Sequence, residues 1–234
     1  MSELWYHTID LPSGPTAGAV DLRRIAPKVL PQRLDGARAL DVGTFDGFWA
    51  FELEKRGAAD VVGTDLDRFD EAHWPRQNAA ALAQEARDRG PVERFGLARQ
   101  ALSSSVRRVV TSVEDLTADK LGGPVDYAVM GDLLLHLRDP VGGLERVHDV
   151  LRPGGRLLTL EQVNVPLTLL RPRRAAGSFQ ARATKMNWWE PNLRALQDWL
   201  AIAGFASSRI RRVYRLDARG PQAKWHVALE SVRA

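Results

Sequence analysis

The segment Leu40-Asp41-Val42-Gly43-Thr44-Phe45-Asp46-Gly47 carries the residue types that grip a small polar ligand. Gly43 lets the chain leave a strand and pass close to a ligand, and Gly47 permits tight approach where a helix begins. Asp65 closes the next apolar run. There it stands where an acid of a doubly wound fold accepts hydrogen bonds from both hydroxyls of a ribose. The glycine spacing is Gly-x-x-x-Gly with Phe45 inside, not the Gly-x-Gly-x-x-Gly of a dinucleotide site. Asp41, two residues before the first glycine, would repel a pyrophosphate but suits the amino group of an amino acid. A lone glycine loop after a strand is also a plain turn, and this segment by itself leaves both readings open.

Histidines are the candidate bases. His136 follows Asp132 by four residues. On a helix both would share one face, and Asp132 would orient the imidazole to take a proton. The alternative is that His136 packs against the sheet. His7 sits in the aromatic segment Trp5-Tyr6-His7, either touching a substrate or anchoring a lid by a hydrogen bond. His73, His148 and His226 are expected at the surface, on a helix or an edge strand. Trp5, Tyr6, Phe45, Trp188 and Trp189 offer flat faces that suit a soft cation or an aromatic substrate, although core packing accounts for most tryptophans. Trp188 and Trp189 are adjacent, so an extended segment points them apart and at most one lines a pocket.

These groups need a scaffold. The chain has 234 residues, 44% hydrophobic and 26% charged, which excludes a disordered protein. It holds no cysteine, so disulfides, thiolate metal sites and cysteine nucleophiles are excluded, and no metal site is expected. No apolar run is long enough to span a membrane, and the first residues lack a secretion signal; a cytoplasmic protein is expected. The net charge is only +4, although the pI is 9.7. Lysine occurs five times and arginine carries the rest of the basic charge; arginine stays protonated far above neutrality. The clusters Arg171/Arg173/Arg174 and Arg209/Arg211/Arg212/Arg215 could follow an RNA backbone, but a solvated loop and an exposed strand account for them more simply.

Alternating apolar and amphipathic runs predict strands at 37–42, 59–65, 107–113, 125–130 and 156–160, with helices at 47–57, 71–90, 93–104 and from Pro140 to about 151. A tight turn is expected at 151–155. Residues 161–187 show no clear period. A helix is expected from Glu190 to about Gly204. Strands at 209–216 and 224–232 flank turn residues at 217–221. The expected fold is α/β and doubly wound, Rossmann-like, with a mostly parallel seven-stranded sheet closed by an antiparallel C-terminal hairpin.

The glycine loop with its two acids resembles the cofactor motif of class I S-adenosylmethionine-dependent methyltransferases. That cofactor has a ribose, an adenine and a zwitterionic methionine tail, and no phosphate. Asp126-Tyr-Ala-Val-Met-Gly131-Asp132 through Asp139-Pro140 is similar to the family's fourth-strand segment, and Leu151-Arg-Pro-Gly-Gly-Arg to its run into the fifth strand. Ser112-Val-Glu-Asp-Leu116 resembles the segment ending the third strand, where many members have an acid in place of Ser112. The resemblance covers roughly residues 37–160. Trp5-Tyr6-His7-Thr8-Ile9-Asp10-Leu11, Thr16-Ala17-Gly18, and Asn187-Trp188-Trp189-Glu190-Pro191-Asn192 resemble a subgroup. That subgroup is related to tRNA wobble-uridine (5-oxyacetyl-forming) methyltransferases and contains bacterial small-molecule enzymes.

The resemblance implies a single catalytic domain over 1–234, with a lid at 1–36 and a lid or substrate insertion at 161–190. It implies that Asp41, Gly43 and Gly47 hold the methionine part, Asp65 the ribose, and Leu66, Ser112 and Val113 the adenine. Gly131 and Asp132 would lie near the sulfonium. His136, His7 and Asp132 are the candidate catalytic residues, and Trp5, Tyr6, Trp188 and Trp189 the candidate substrate contacts. The expected reaction is in-line methyl transfer to a small molecule, of the kind met in secondary metabolism. The rivals are a tRNA-modifying enzyme of the same fold and a non-catalytic cofactor-binding scaffold.

Overall fold

Short apolar runs bounded by turn residues become the central strands of a computed structural model, which describes residues 5–68, 71–89, 93–184, 186–216 and 224–234. The N-terminal segment forms a small hairpin, β1 (Asp10–Leu11) with β2 (Gly14–Pro15), and then the short helix α1 (Ala26–Val29). β3 (Arg38–Val42) has four of its five residues buried and leads through the glycine loop into α2 (Phe48–Glu54). β4 (Asp60–Asp65), α3 (Arg76–Arg89), α4 (Arg94–Ala101) and β5 (Arg107–Val110) follow. After α5 (Ala118–Leu121) come β6 (Val125–Gly131), α6 (Pro140–Val150) and β7 (Leu151–Gln162). The insertion holds α7 (Val165–Leu170), β8 (Gly177–Phe179) and β9 (Trp189–Pro191), and α8 (Leu193–Ile202) leads to β10 (Phe205–Leu216) and β11 (Lys224–Arg233).

The seven-stranded sheet has the order β10-β11-β7-β6-β3-β4-β5. β7, β6, β3, β4 and β5 run parallel, and β11 pairs antiparallel with both β7 and β10. Helices cover both faces, giving two apolar cores: one holds Phe48, Trp49 and Phe51, the other Leu144, Leu196 and Leu200. The order reverses at β3, which lies between β4 and β6. Ligands of open parallel sheets bind at such a switch point, outside the carboxyl ends of the strands.

The caps are those the residue types dictate. Asp139 accepts from Gly142 N–H at 2.9 Å with Pro140 at the first helical position, and Asn192 accepts from Ala195 N–H at 2.8 Å. Several boundaries differ from expectation. α3 begins at Arg76 rather than residue 71, because Pro75 cannot donate within a helix. β5 ends at Val110, not 113. The expected turn at 151–155 is a bulge inside one long strand: the register against β6 jumps from Val125–Leu151 to Tyr127–Arg156, and Gly154 takes φ 76°. The aperiodic insertion does contain α7 and β8. The Gly90-Pro91 stop and the turn at 217–221 lie outside the described residues. Among the described residues no helix is long and apolar enough to cross a membrane.

Candidate active site

Gly43 after β3, Asp65 and Leu66 at the end of β4, and Gly131, Asp132 and Leu133 at the end of β6 meet at the switch point around a cavity of about 250 Å³. The N-terminal segment contributes Tyr6, His7, Val20 and Leu22 to its lining, and Trp49, Trp74, His136, Leu160, Met186 and Tyr214 line it as well.

Each acid of the glycine loop has a separate task. Asp65 accepts from Phe45 N–H at 2.7 Å and Leu66 N–H at 2.8 Å, one on each oxygen. It thereby holds Phe45 in the left-handed region, φ 50°. Each oxygen keeps lone pairs for a ligand. Burial raises the Asp65 carboxyl above the usual range, against those two bonds.

Asp41 does not line the cavity. It lies under the loop, 1% exposed, accepting from Thr44 Oγ1 at 2.7 Å and Ala50 N–H at 3.0 Å on one oxygen. Its other oxygen, Oδ1, is buried without a partner. Asp46 is fully buried and binds the lid, accepting from Tyr6 N–H at 3.1 Å, His7 N–H at 2.7 Å and His7 Nδ1 at 2.5 Å. His7 therefore lines the cavity while its ring anchors the N-terminal segment. Gly18 completes this anchorage, because a Cβ there would lie 2.2 Å from the His7 backbone.

Asp46→Ala leaves those three donors without an acceptor. At about 1 kcal/mol or more for each buried group, the variant is expected to lose roughly 3 kcal/mol of stability. The midpoint of thermal unfolding should fall by roughly 6–12 °C. An unchanged midpoint would show that the lid is not anchored there.

His136 sits at the end of a 3₁₀ turn, Leu134–His136, and not on a helix shared with Asp132. Asp132 has φ 49° and its Oδ1 lies 3.0 Å from His226 Nε2, so it does not orient His136. His136 instead faces the Met186 carbonyl, with Nδ1 at 3.3 Å, and meets Trp74 edge to face at 5.8 Å. A carbonyl only accepts, so Nδ1 carries the hydrogen and Nε2 keeps its lone pair. Burial lowers the His136 pKa, favouring the neutral imidazole.

The remaining expected contacts are only partly brought together. Tyr6 lines the cavity with Phe45, edge to face at 5.2 Å. Trp5 does not; it is buried in the core. Neither Trp188 nor Trp189 lines the cavity: their indole N–H groups donate to His73 O at 2.9 Å and Arg138 O at 3.3 Å. Gly47 serves packing, since a Cβ there would strike Phe51 at 2.4 Å. Ser112 turns to Asp115 at 3.0 Å, and Val113 is buried in the second core; both stand outside the lining.

His226 is a correction. It is 4% exposed, stacked on Tyr214 and paired with Asp132. Sequence reasoning also passed over Trp49, Trp74, Met186, Tyr214, Asp46 and Glu161. Two signals were present: Asp46 lies inside the glycine motif, and Pro75 puts Trp74 in a loop ahead of α3.

The model of a methyltransferase-domain family matches residues 18–208. The chain belongs to that family. It is 31% identical over 191 residues to the tRNA U34 carboxymethyltransferase of Pseudomonas aeruginosa (strain UCBPP-PA14), covering 80% of this chain and 49% of the relative. The corresponding protein of Azotobacter vinelandii is 30% identical, covering 80% and 50%. The chain thus spans about half the length of the curated relatives it matches.

Among solved structures, the N-terminal domain of EvdMO1, crystallised with SAH and D-fucose, superposes with a TM-score of 0.56. Its identity is 16%, with 91% of this chain and 81% of that one covered. The 1,6-didemethyltoxoflavin-N1-methyltransferase of Burkholderia thailandensis, bound to its substrate and S-adenosylhomocysteine, gives 0.52 at 20% identity, covering 86% and 72%. These likenesses show the fold.

Within this methyltransferase fold, burial pushes the Asp41 carboxyl up to about 7. A carboxyl raised in the folded state stabilises the protein fully below its unfolded pKa, and that stability is lost as pH rises through the folded value. For Asp41 the window runs from about pH 4 to pH 7, with an upper bound of roughly 4 kcal/mol. In the ligand-free protein, the melting temperature of Asp41→Asn relative to wild type should therefore rise from pH 5 to pH 8. A difference independent of pH would show that Asp41 titrates normally.

Proposed function

We propose that this chain transfers the methyl group of S-adenosylmethionine to a small-molecule acceptor inside the cavity. The observation that carries the reading is that the Asp65 carboxylate and the close-approach Gly43 line an aromatic-walled cavity at the switch point, with the unpartnered Oδ1 of Asp41 buried beneath the glycine loop. These residues fit the cofactor. Asp65 would take the ribose hydroxyls, Gly43 would admit the chain of the methionine part, and Asp41 beneath the loop would face its amino group, whose positive charge favours the ionised carboxylate. When bound, the cofactor supplies a methyl group on a sulfonium, which is open to in-line displacement.

The chain's own residues do the rest. Tyr6, Phe45 and Trp49 offer aromatic faces to a cation. His136 Nε2 takes the proton of a hydroxyl or amine acceptor. The lid, residues 5–22 held by Asp46, keeps water out, so the acceptor reacts in a dry site. A cytoplasmic enzyme of natural-product type fits this chemistry.

The lining favours methyl over carboxymethyl transfer. Among the described residues it contains Asp65 and Asp132 and no lysine or arginine. A carboxylate on the transferred group would find no cation there and two carboxylates nearby. Mass spectrometry of the product tests this: the acceptor should gain the mass of one CH₂. A gain matching a carboxymethyl group would contradict the reading.

A further inference from the structure

A second set of polar groups lies against the cavity and has no task in the reading above. Asp132 follows β6 in the left-handed region, a conformation that costs a non-glycine residue of order 1 kcal/mol or more. The surroundings enforce it. Asp132 N–H donates to Leu160 O at 2.8 Å, and the N–H groups of Leu133 and Leu134 donate to Glu161 Oε1 at 3.2 and 3.1 Å. Asp132 Oδ1 is buried against His226 Nε2 at 3.0 Å. The side chain is nevertheless 26% exposed, so Oδ2 is the carboxylate oxygen that meets the cavity.

His226 is itself fixed. Its Nδ1 lies 3.0 Å from the Lys224 carbonyl, which can only accept, so Nδ1 carries a hydrogen. Its ring stacks on its cross-strand partner Tyr214 at 5.4 Å, and Tyr214 lines the cavity. Nε2 lies 3.0 Å from the Asp132 carboxylate, an ion-pair contact made without hydrogen-bond alignment, and that proximity favours the charged imidazole. Burial works against that charge and the Asp132 carboxylate outweighs it, raising His226 above its usual range. The other titratable groups around the pair are Tyr6 in the N-terminal segment, His136 after β6, Glu161 on β7, Tyr214 on β10 and Lys224 on β11. Burial pushes the Glu161 carboxyl and the Tyr214 phenol well above their ordinary values.

We propose that Oδ2 of Asp132, set in place by His226, is the subsite for a hydrogen-bond-donating group of the methyl acceptor, an amine or a hydroxyl. A carboxylate oxygen only accepts, so it selects donors and rejects carboxylates and phosphates. Aromatic neighbours favour a donor that carries positive charge. His226 acts as a positioning residue: its ring lies against Oδ1 at 3.0 Å and leaves Oδ2 as the reading face. The inference rests on the methyl-transfer reading.

Sinefungin tests it, because this cofactor analogue carries an amine where S-adenosylmethionine carries its sulfonium methyl. Calorimetry on the whole chain compares sinefungin with S-adenosylhomocysteine. Wild type is expected to prefer sinefungin. Asp132→Asn should lower sinefungin affinity at least about tenfold while S-adenosylhomocysteine affinity stays within about threefold. His226→Phe keeps the stacked ring and should act in the same direction, and His226→Gln should restore part of the preference. A sinefungin preference unaltered by Asp132→Asn would overturn the subsite. Failure of S-adenosylhomocysteine to bind wild type would instead overturn the methyl-transfer reading.

Nitrogen-15 spectra of histidine-labelled wild-type protein need no variant. The His226 signal should titrate above the ordinary histidine range and should shift with sinefungin more than with S-adenosylhomocysteine. A His226 that titrates in the ordinary range and responds to both alike would also overturn the proposal.

Discussion

Asp65→Ala weakens S-adenosylhomocysteine binding at least about tenfold, roughly 1.4 kcal/mol or more; this is the expected result in calorimetry. Two effects add. The carboxylate is lost as an acceptor for two ribose hydroxyls, and hydrogen bonds to a charged group contribute about 1.5–3 kcal/mol each. The glycine loop also loses its brace, because Phe45 N–H and Leu66 N–H bond to the same carboxylate at 2.7 and 2.8 Å. Phe45 is held with φ 50° by that contact, and without it the loop is free to relax away from the ligand. Asp65→Asn keeps one acceptor oxygen and should fall between wild type and Asp65→Ala. Equal affinities for all three proteins would remove Asp65 from the cofactor site.

His136→Ala should lower turnover by roughly 10²–10⁴-fold, the range for loss of a positioned general base. Cofactor affinity should stay within about threefold, since His136 is assigned no cofactor contact. The imidazole is neutral and its Nδ1 is committed to the Met186 carbonyl, so Nε2 is the working atom. Its pKa is depressed by burial. Activity should therefore hold through neutral pH and fall only as pH drops through that lowered value, where the base becomes protonated. His136→Gln preserves a polar side chain of similar reach without a titrating nitrogen and should lose the same limb of the profile. Wild-type turnover in both variants would return His136 to a packing role.

The parts of the molecule set by local spacing were legible in the sequence. The parallel strands announce themselves as buried apolar runs, and the acid-glycine loop follows β3 as its residue types require. Asp139-Pro140 and Asn192 mark helix starts through capping chemistry that acts over three or four residues. The terminal hairpin shows as two runs around turn residues. Asp65 and Gly43 were readable because a strand end fixes where they point.

What escaped were contacts between distant segments. His226 on β11 looks like an edge-strand surface group until β11 is placed between β7 and β10, where both faces are covered. Its meeting with Asp132 joins residues far apart in sequence, and no period encodes it. Asp132 and His136, four apart, suggested a shared helical face. The left-handed turn at Asp132 and the short 3₁₀ turn break that geometry. At most one of Trp188 and Trp189 was expected to line the pocket, yet neither does, and their indole N–H groups are spent on backbone carbonyls of His73 and Arg138. Trp74 and Trp49 line the cavity in their place.

Transfer of labelled methyl from S-adenosylmethionine, measured in parallel on bulk tRNA and on a metabolite extract, tests the central claim most directly. Label should enter the small-molecule fraction and leave tRNA unlabelled. Label in tRNA would contradict the small-molecule reading, and label in neither fraction would contradict methyl transfer itself in favour of a cofactor-binding scaffold.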